Sequence, residues 1–420
     1  MEELTRLTAT EASRLIRAGR LRPADLLEAC LARIALREPE VRAFAQLDPA
    51  QARRIIPGPG PLHGIPIGVK DVFDTADLPT EYGSPIWRGW RPRADAAAVT
   101  AARAAGAVVL GKTVTAEFAV RTPGPTVHPQ TLMHTPGGSS SGSAAGVADG
   151  FFPLAYGTQA MGSIIKPAAY CGVVGYKPSF GTINRGGTKA VSETLDTIGV
   201  LARSVADCAL FVGAVSGRAF GDLDRKPARA PRIGICRSPV WHKAQPETQA
   251  LLPHVATILA RAGARLASCE LPPEFDAFQH AFPLVLDHEA AQGLGWELAE
   301  ARAQISAPLR DQLETGAAVD PADYFAAVET LARLRRLFPL AIEDLDILVT
   351  PAATGEAPAG IASTGDSSFN SLWTALHVPC LSVPAGTGPN GLPLGIQIVA
   401  RRGEDREALT WAQWIAAALA

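Results

Sequence analysis

Gly137-Gly138-Ser139-Ser140-Ser141-Gly142-Ser143, continued by the small apolar run Ala144-Ala145-Gly146-Val147-Ala148, is the stretch on which the reading of this chain turns. Four serines and three glycines in seven residues offer no apolar face. Ordered glycine also costs backbone entropy, so an ordinary core segment is not built this way. A flexible Gly/Ser linker shares the composition, but the flanks argue against one. Ala144–Ala148 is helix-compatible, Phe151-Phe152-Pro153-Leu154-Ala155-Tyr156 reads as a buried strand, and a second loop of small residues follows, Gly157-Thr158-Gln159-Ala160-Met161-Gly162-Ser163. Serine-rich loops set inside apolar sequence read as an active site.

Outward from this centre, strands and helices alternate. Helical spacing of apolar residues predicts helices over Thr10–Ala18 and Pro23–Arg37. Gly64-Ile65-Pro66-Ile67-Gly68-Val69-Lys70 is an apolar strand closed by a lysine and then Asp71. Asp95 is placed to cap a helix through Val99 and Ala104, followed by a strand at Ala107–Gly111. Further strands are predicted at Val173–Tyr176, Ile198–Leu201, Arg232–Cys236, Asp346–Pro351, Cys380–Val383 and Gly395–Val399. Helices are predicted from Ser204, with capping-box spacing, to Gly217; over Thr248–Ala262; from about Asp287 to Phe338 with a break near Thr315-Gly316; and over Asp405–Leu419. Such alternation, without repeat or linker, predicts an α/β fold in one domain, residues 1–420, its large sheet sandwiched by helices.

Composition narrows the function. The chain of 420 residues can bury a large core, and 47% apolar against 19% charged residues is globular composition. With 39 basic and 41 acidic residues there is no basic footprint for nucleic acid or an anionic membrane, which leaves a small-molecule substrate as the expected partner. Six scattered cysteines form no CxxC or Cys/His cluster, so neither a disulfide framework nor a metal site is expected. No signal-peptide layout or bilayer-length apolar run is present, and a cytoplasmic location is expected.

Ser163, at the end of a Gly-Ser turn, is a candidate nucleophile. Converging backbone N–H groups of Ala160, Met161, Gly162 and Ser163 would form an oxyanion hole there. A serine needs a base. His128 and His134 sit in a polar loop and no other histidine carries a motif, whereas burial can bring Lys70 into the range where a neutral amine accepts a proton. Asp71 opposes this if the two side chains meet. Two short motifs compete. Ser163-Ile164-Ile165-Lys166 matches S-x-x-K, but β-branched residues and Pro167 disfavour an ordinary helix there, and K-T-G and S-D-N companions are lacking. Gly138-Ser139-Ser140-Ser141-Gly142 fits G-x-S-x-G, which would make Ser140 the nucleophile, though a four-serine loop matches permissively.

Taken together, Gly64–Asp71, Thr135–Ala145, Gly162-Ser163-Ile164 with Pro167–Pro178, Asn370–Pro379 and Gly391–Gln397 resemble the amidase signature family over nearly the whole chain. The resemblance implies a central mixed sheet covered by helices on both faces, a signature core at about 60–215, and a second half, 216–420, completing sheet and pocket. It implies a cofactor-free Ser-Ser-Lys triad with Ser163 as nucleophile, Ser139 as relay and Lys70 as neutral base, and a cis peptide bond before the relay at Gly138–Ser139. Cleavage of a linear amide through an acyl-enzyme is the expected activity, with the glutaminase-type component of a tRNA-dependent amidotransferase as the alternative; a homodimer is allowed. Met133, Gly137, Gly138, Tyr82 and Trp373 are expected to bind substrate. The chain departs from the family's usual acidic residue, paired glycines and arginine around the nucleophile at Gln159, Met161, Ile165 and Lys166, and has Ser141 where a glycine is usual.

Overall fold

The computed structural model describes residues 2–223 and 227–420. Its strands are β1 Phe44–Leu47, β2 Pro66–Lys70, β3 Val108–Thr113, β4 Leu154–Gln159, β5 Val174–Lys177, β6 Thr197–Ala202, β7 Arg232–Cys236, β8 Arg265–Cys269, β9 Ile347–Pro351, β10 Cys380–Thr387 and β11 Pro393–Val399. They form one sheet in the order β1-β3-β2-β4-β6-β5-β10-β11-β9-β7-β8. β2 runs parallel to β3 and β4, and β7 parallel to β8 and β9; the other pairings are antiparallel, so the sheet is mixed. β2, β3, β4, β6, β9 and β11 are buried throughout, which explains why they read as continuous apolar runs rather than alternating ones.

Helices cover both faces, and strand alternation shows how. Successive side chains of a strand point to opposite faces. Ile347, Val349, Leu381 and Ile398 join one apolar cluster with the helices Val205–Ser216 and Asp405–Leu419. Their neighbours Leu348, Cys380 and Val399 join a second cluster with Ile165–Cys171, Phe278–Gly293 and Pro321–Ala341.

Several local expectations are corrected. The long helical region begins at Phe278, not Asp287; a short helix, Gly295–Glu300, and a single 3-10 turn, Arg302–Gln304, separate Phe278–Gly293 from Ala307–Ala317, and a second break falls at 318–320. Thr315 and Gly316 lie inside the helix Ala307–Ala317. Gly316 is there because a Cβ would run into the backbone of Asp287 on the neighbouring helix, so the glycine marks close helix approach rather than a stop. The last helix of this region continues through Pro339 to Ala341. Asp95 caps nothing: it accepts from Ala76 N at 2.8 Å and pairs with Arg103, and the helix Ala97–Ala104 starts without a side-chain cap. Ser204 does cap its helix, accepting from Asp207 N at 3.1 Å, but the Asp207 carboxylate turns to Thr10 instead of closing a capping box. Ile165–Cys171, directly after Ser163, is a short helix with Pro167 in its first turn, where a missing N–H is tolerated.

The parallel β2/β4 pairing organises the site. Val69 lies beside Tyr156, so Lys70 and Thr158 leave the sheet at the same carboxyl-terminal edge, the usual location of ligand sites in open α/β sheets.

Candidate active site

The serine-rich stretch becomes the helix Ser141–Asp149, and most of its serines are pegs. Ser143 Oγ donates to Tyr156 O at 2.8 Å, and Ser141 Oγ to Val114 O at 3.2 Å. Ser140 Oγ points back to Thr158 O at 3.4 Å, away from the cavity, so the nucleophile-elbow alternative finds no support in the geometry. Gly142 and Gly146 are where they are because a Cβ would strike Ala43 O or the Phe152 ring.

Ser139 differs from its neighbours. It follows a cis peptide bond from Gly138, and its hydroxyl lies 2.8 Å from Lys70 Nζ. The same ammonium nitrogen lies 2.8 Å from Thr158 Oγ1. Among the described residues no carboxylate pairs with Lys70: Asp71 is held by Lys112 of β3 at 2.8 Å and accepts from Glu81 N at 3.1 Å. Burial pulls Lys70 down to about 7, with the Asp196 carboxylate acting in the opposite direction. The neutral amine is therefore accessible near neutral pH.

Ser163 sits in the turn between β4 and the helix Ile165–Cys171. The Ser140 N–H donates to Ser163 O at 3.3 Å, tying the two serine loops together. Ser139 and Ser163 both line one cavity of about 570 Å³, with Gly138, Ala160 and Met161. Among the described residues no protein acceptor takes the N–H of Met161, Gly162 or Ser163. Of these, Met161 and Ser163 line the cavity and Gly162 lies between them, an arrangement compatible with an oxyanion hole. No described histidine lines the cavity. His128 is turned to Tyr170 O at 2.9 Å, and burial drives His377 down to about 3.

The chain as a whole is similar to known proteins. The family model named Amidase matches residues 25–409. The chain belongs to the Amidase family. A glutamyl-tRNA(Gln) amidotransferase subunit from Chloroflexus aggregans is 33% identical, covering 96% of this chain and 94% of the relative. A crystal structure of an amidase superposes with a TM-score of 0.90 at 30% identity, covering 99% of this chain and all of the other. Peptide amidase from Stenotrophomonas maltophilia gives 0.82 at 30% identity over 99% and 97% of the two chains.

Within this amidase frame, the departures around Ser163 have visible roles. Gln159 Oε1 accepts from the N–H groups of Ile164 and Ile165 at 2.9 and 3.1 Å, so a neutral amide secures the start of the helix after Ser163. Lys166 is buried at the cavity wall. Its ammonium group donates to Gly365 O at 2.7 Å and Thr364 Oγ1 at 3.2 Å, and burial brings it to about 7 against the pull of Asp366.

Of the five expected substrate contacts, only Gly138 lines the cavity. Gly137 is buried beneath it at φ +81°, where a Cβ would meet Pro167 and Tyr170. Tyr82 is turned inward, donating to Asp74 at 2.9 Å and stacking on Phe118. Trp373 is fully buried edge-on against Phe338, and Met133 is 75% exposed and outside the cavity. Ser306 and Pro308, within the helical region expected from about Asp287 to Phe338, line it together with Leu286, and the remaining walls come from Ala119–Pro123 and the loop Ala362–Ser367. The run Ser363-Thr364-Gly365-Asp366-Ser367, small and polar with a turn glycine, was the available sequence signal for that last wall.

Among the described residues no helix is long and apolar enough to cross a membrane, and no cluster of three or more His, Cys, Asp or Glu residues is built to hold a metal.

Proposed function

We propose that this amidase cleaves a linear amide C–N bond, other than in a peptide backbone, through an acyl-enzyme on Ser163. The neutral Lys70 amine takes the Ser139 proton as Ser139 takes that of Ser163, and Ser163 Oγ bonds to the substrate carbonyl carbon. The oxyanion so formed is met by the N–H groups along Ala160–Ser163. Return of the proton through Ser139 to the leaving nitrogen breaks the C–N bond and frees ammonia or an amine. Water then attacks the ester with the same groups as base and acid, regenerating Ser163. The observation that carries this reading is the 2.8 Å Lys70–Ser139 contact, with no carboxylate on the lysine, opening onto the cavity that Ser163 shares. These intact groups weigh against a binding protein that merely kept the fold. Arg121 and Asp366 give the cavity both signs of charge, which suits a compact polar amide.

Labelling with a fluorophosphonate, mapped by mass spectrometry, tests the assignment. Modification at Ser163 that disappears in Lys70→Ala supports it; modification at Ser140, or none, sinks it.

A second reading, the glutaminase-type component of a tRNA-dependent amidotransferase, is favoured by the name of the Chloroflexus aggregans relative, and the comparisons lend it more weight than the free-standing enzyme. The bond cleaved and the residues are the same; the fate of the ammonia differs. Ammonia release from simple amides by the purified chain alone argues for the free-standing enzyme. Turnover of glutamine only with partner proteins present argues for the amidotransferase.

A further inference from the structure

Behind the nucleophile loop, the helix Ser368–Ala375 places Asn370 and Thr374 one turn apart, both buried. Thr374 Oγ1 is a junction. It accepts from Gln159 Nε2 at 3.0 Å and donates to Met161 O at 2.8 Å, while the carbonyl of Asn370 lies farther off at 3.3 Å. A hydroxyl has one proton, and the nearer acceptor takes it. Gln159 is oriented for its part because its Oε1 is already occupied by the Ile164 and Ile165 N–H groups, which turns its NH2 toward Thr374.

This junction has a consequence on the far side of the loop. In a trans peptide the C=O and the following N–H point in opposite directions. The Met161–Gly162 bond is trans, since Gly138–Ser139 is the one cis bond among the described residues. Holding the Met161 carbonyl on the Thr374 side therefore aims the Gly162 N–H away from that helix, toward the wall where Ala160, Met161 and Ser163 face the cavity. Only glycine fits at 162, because a Cβ there would run into the Asn370 side chain.

We infer that Thr374, held by Gln159, is a positioning residue that aims the Gly162 N–H at the oxyanion. The inference rests on Ser163 being the nucleophile. It is tested by the rate at which a fluorophosphonate modifies Ser163, with the maximal rate constant separated from the half-saturating concentration. A phosphonyl oxygen takes the oxyanion's place in this reaction, so no natural substrate is needed. Thr374→Val, which keeps the shape and loses the hydroxyl, is expected to lower the maximal rate roughly 30- to 100-fold while half-saturation changes less than about threefold. Thr374→Ser restores the rate to within about threefold of the natural chain. Thr374→Ala, which likewise loses the hydroxyl that holds the Met161 carbonyl, slows the reaction as Thr374→Val does. Should Thr374→Val fail to fold, Thr374→Ala carries the same comparison. Modification of Thr374→Val at the natural rate overturns the inference and leaves the nucleophile standing, as does an equal slowing in Thr374→Ser. No modification of Ser163 in the natural chain removes the nucleophile reading itself, and this inference with it.

Discussion

Lys70 and Lys112 lie on adjacent strands, both fully buried, with Val69 of β2 in register with Lys112 of β3. Their partners separate them. Lys112 faces the Asp71 carboxylate at 2.8 Å and the Thr80 hydroxyl at 2.6 Å. Among the described residues, Lys70 meets only the hydroxyls of Ser139 and Thr158. Burial lowers both, but for Lys112 the carboxylate works against burial from bonding distance, whereas for Lys70 the opposing Asp196 acts without an ion pair. One buried lysine is thus tied to a carboxylate and the other, in the proposed mechanism, is left able to act as a base, and the strand turn at Asp71 makes the difference by giving its carboxylate to the neighbour.

Four experiments break or sharpen this contrast. Replacing the base by Lys70→Met is expected to lower kcat/KM for any amide the chain hydrolyses by roughly 10²- to 10⁴-fold, measured by initial rates. Lys112→Met should instead act on stability, costing about 3–5 kcal/mol in denaturant unfolding, because it strands a buried carboxylate without its counter-charge. Lys70→Met should stabilise. The folded lysine sits near 7 against 10.5 in the unfolded chain, so between those values the unfolded state binds more protons and stability rises with pH. The penalty is full below about pH 7 and gone above 10.5, so the variant should gain about 3–5 kcal/mol at pH 6 and almost nothing at pH 10.5. The smallest effect concerns the pH–rate profile. Activity should rise with pH through a midpoint near 7 as Lys70 loses its proton. Thr158→Val, removing one acceptor from the ammonium form, should move that midpoint down by under about one unit. An unmoved midpoint would count against Lys70 as the titrating base.

Much of the fold and the centre of the site were legible because they rest on local patterns. Apolar runs gave away the buried strands, and Lys70 and Ser163 stood out as polar residues in a small or apolar setting, whereas Ser139 was separated from its serine neighbours only by the family resemblance. The missed parts are those where tertiary contacts overrule local chemistry. Gly316 reads as a helix stop until a second helix packs on it. Tyr82 and Trp373 carry chemistry that suits a pocket, yet each faces core packing that no spacing encodes. The short β1 and β8 strands flank the sheet where periodicity is weakest. Thr374 bears on the site only because a helix far along the chain docks against the turn after β4.

That docking bears on how the protein comes to life. Lys70, Ser139 and Ser163 all lie in the first half of the chain, but Gln159 and Thr374 are separated by 215 residues. Contacts of such long sequence separation form late, after the loop-closure entropy between them has been met. With the roles proposed above, a chain still emerging from the ribosome would hold Lys70, Ser139 and Ser163 while the Met161–Gly162 peptide lacks its Thr374 anchor. Reactivity would then wait until the last strands and the Ser368–Ala375 helix are in place, so that an unfinished molecule would carry a serine without the means to use it.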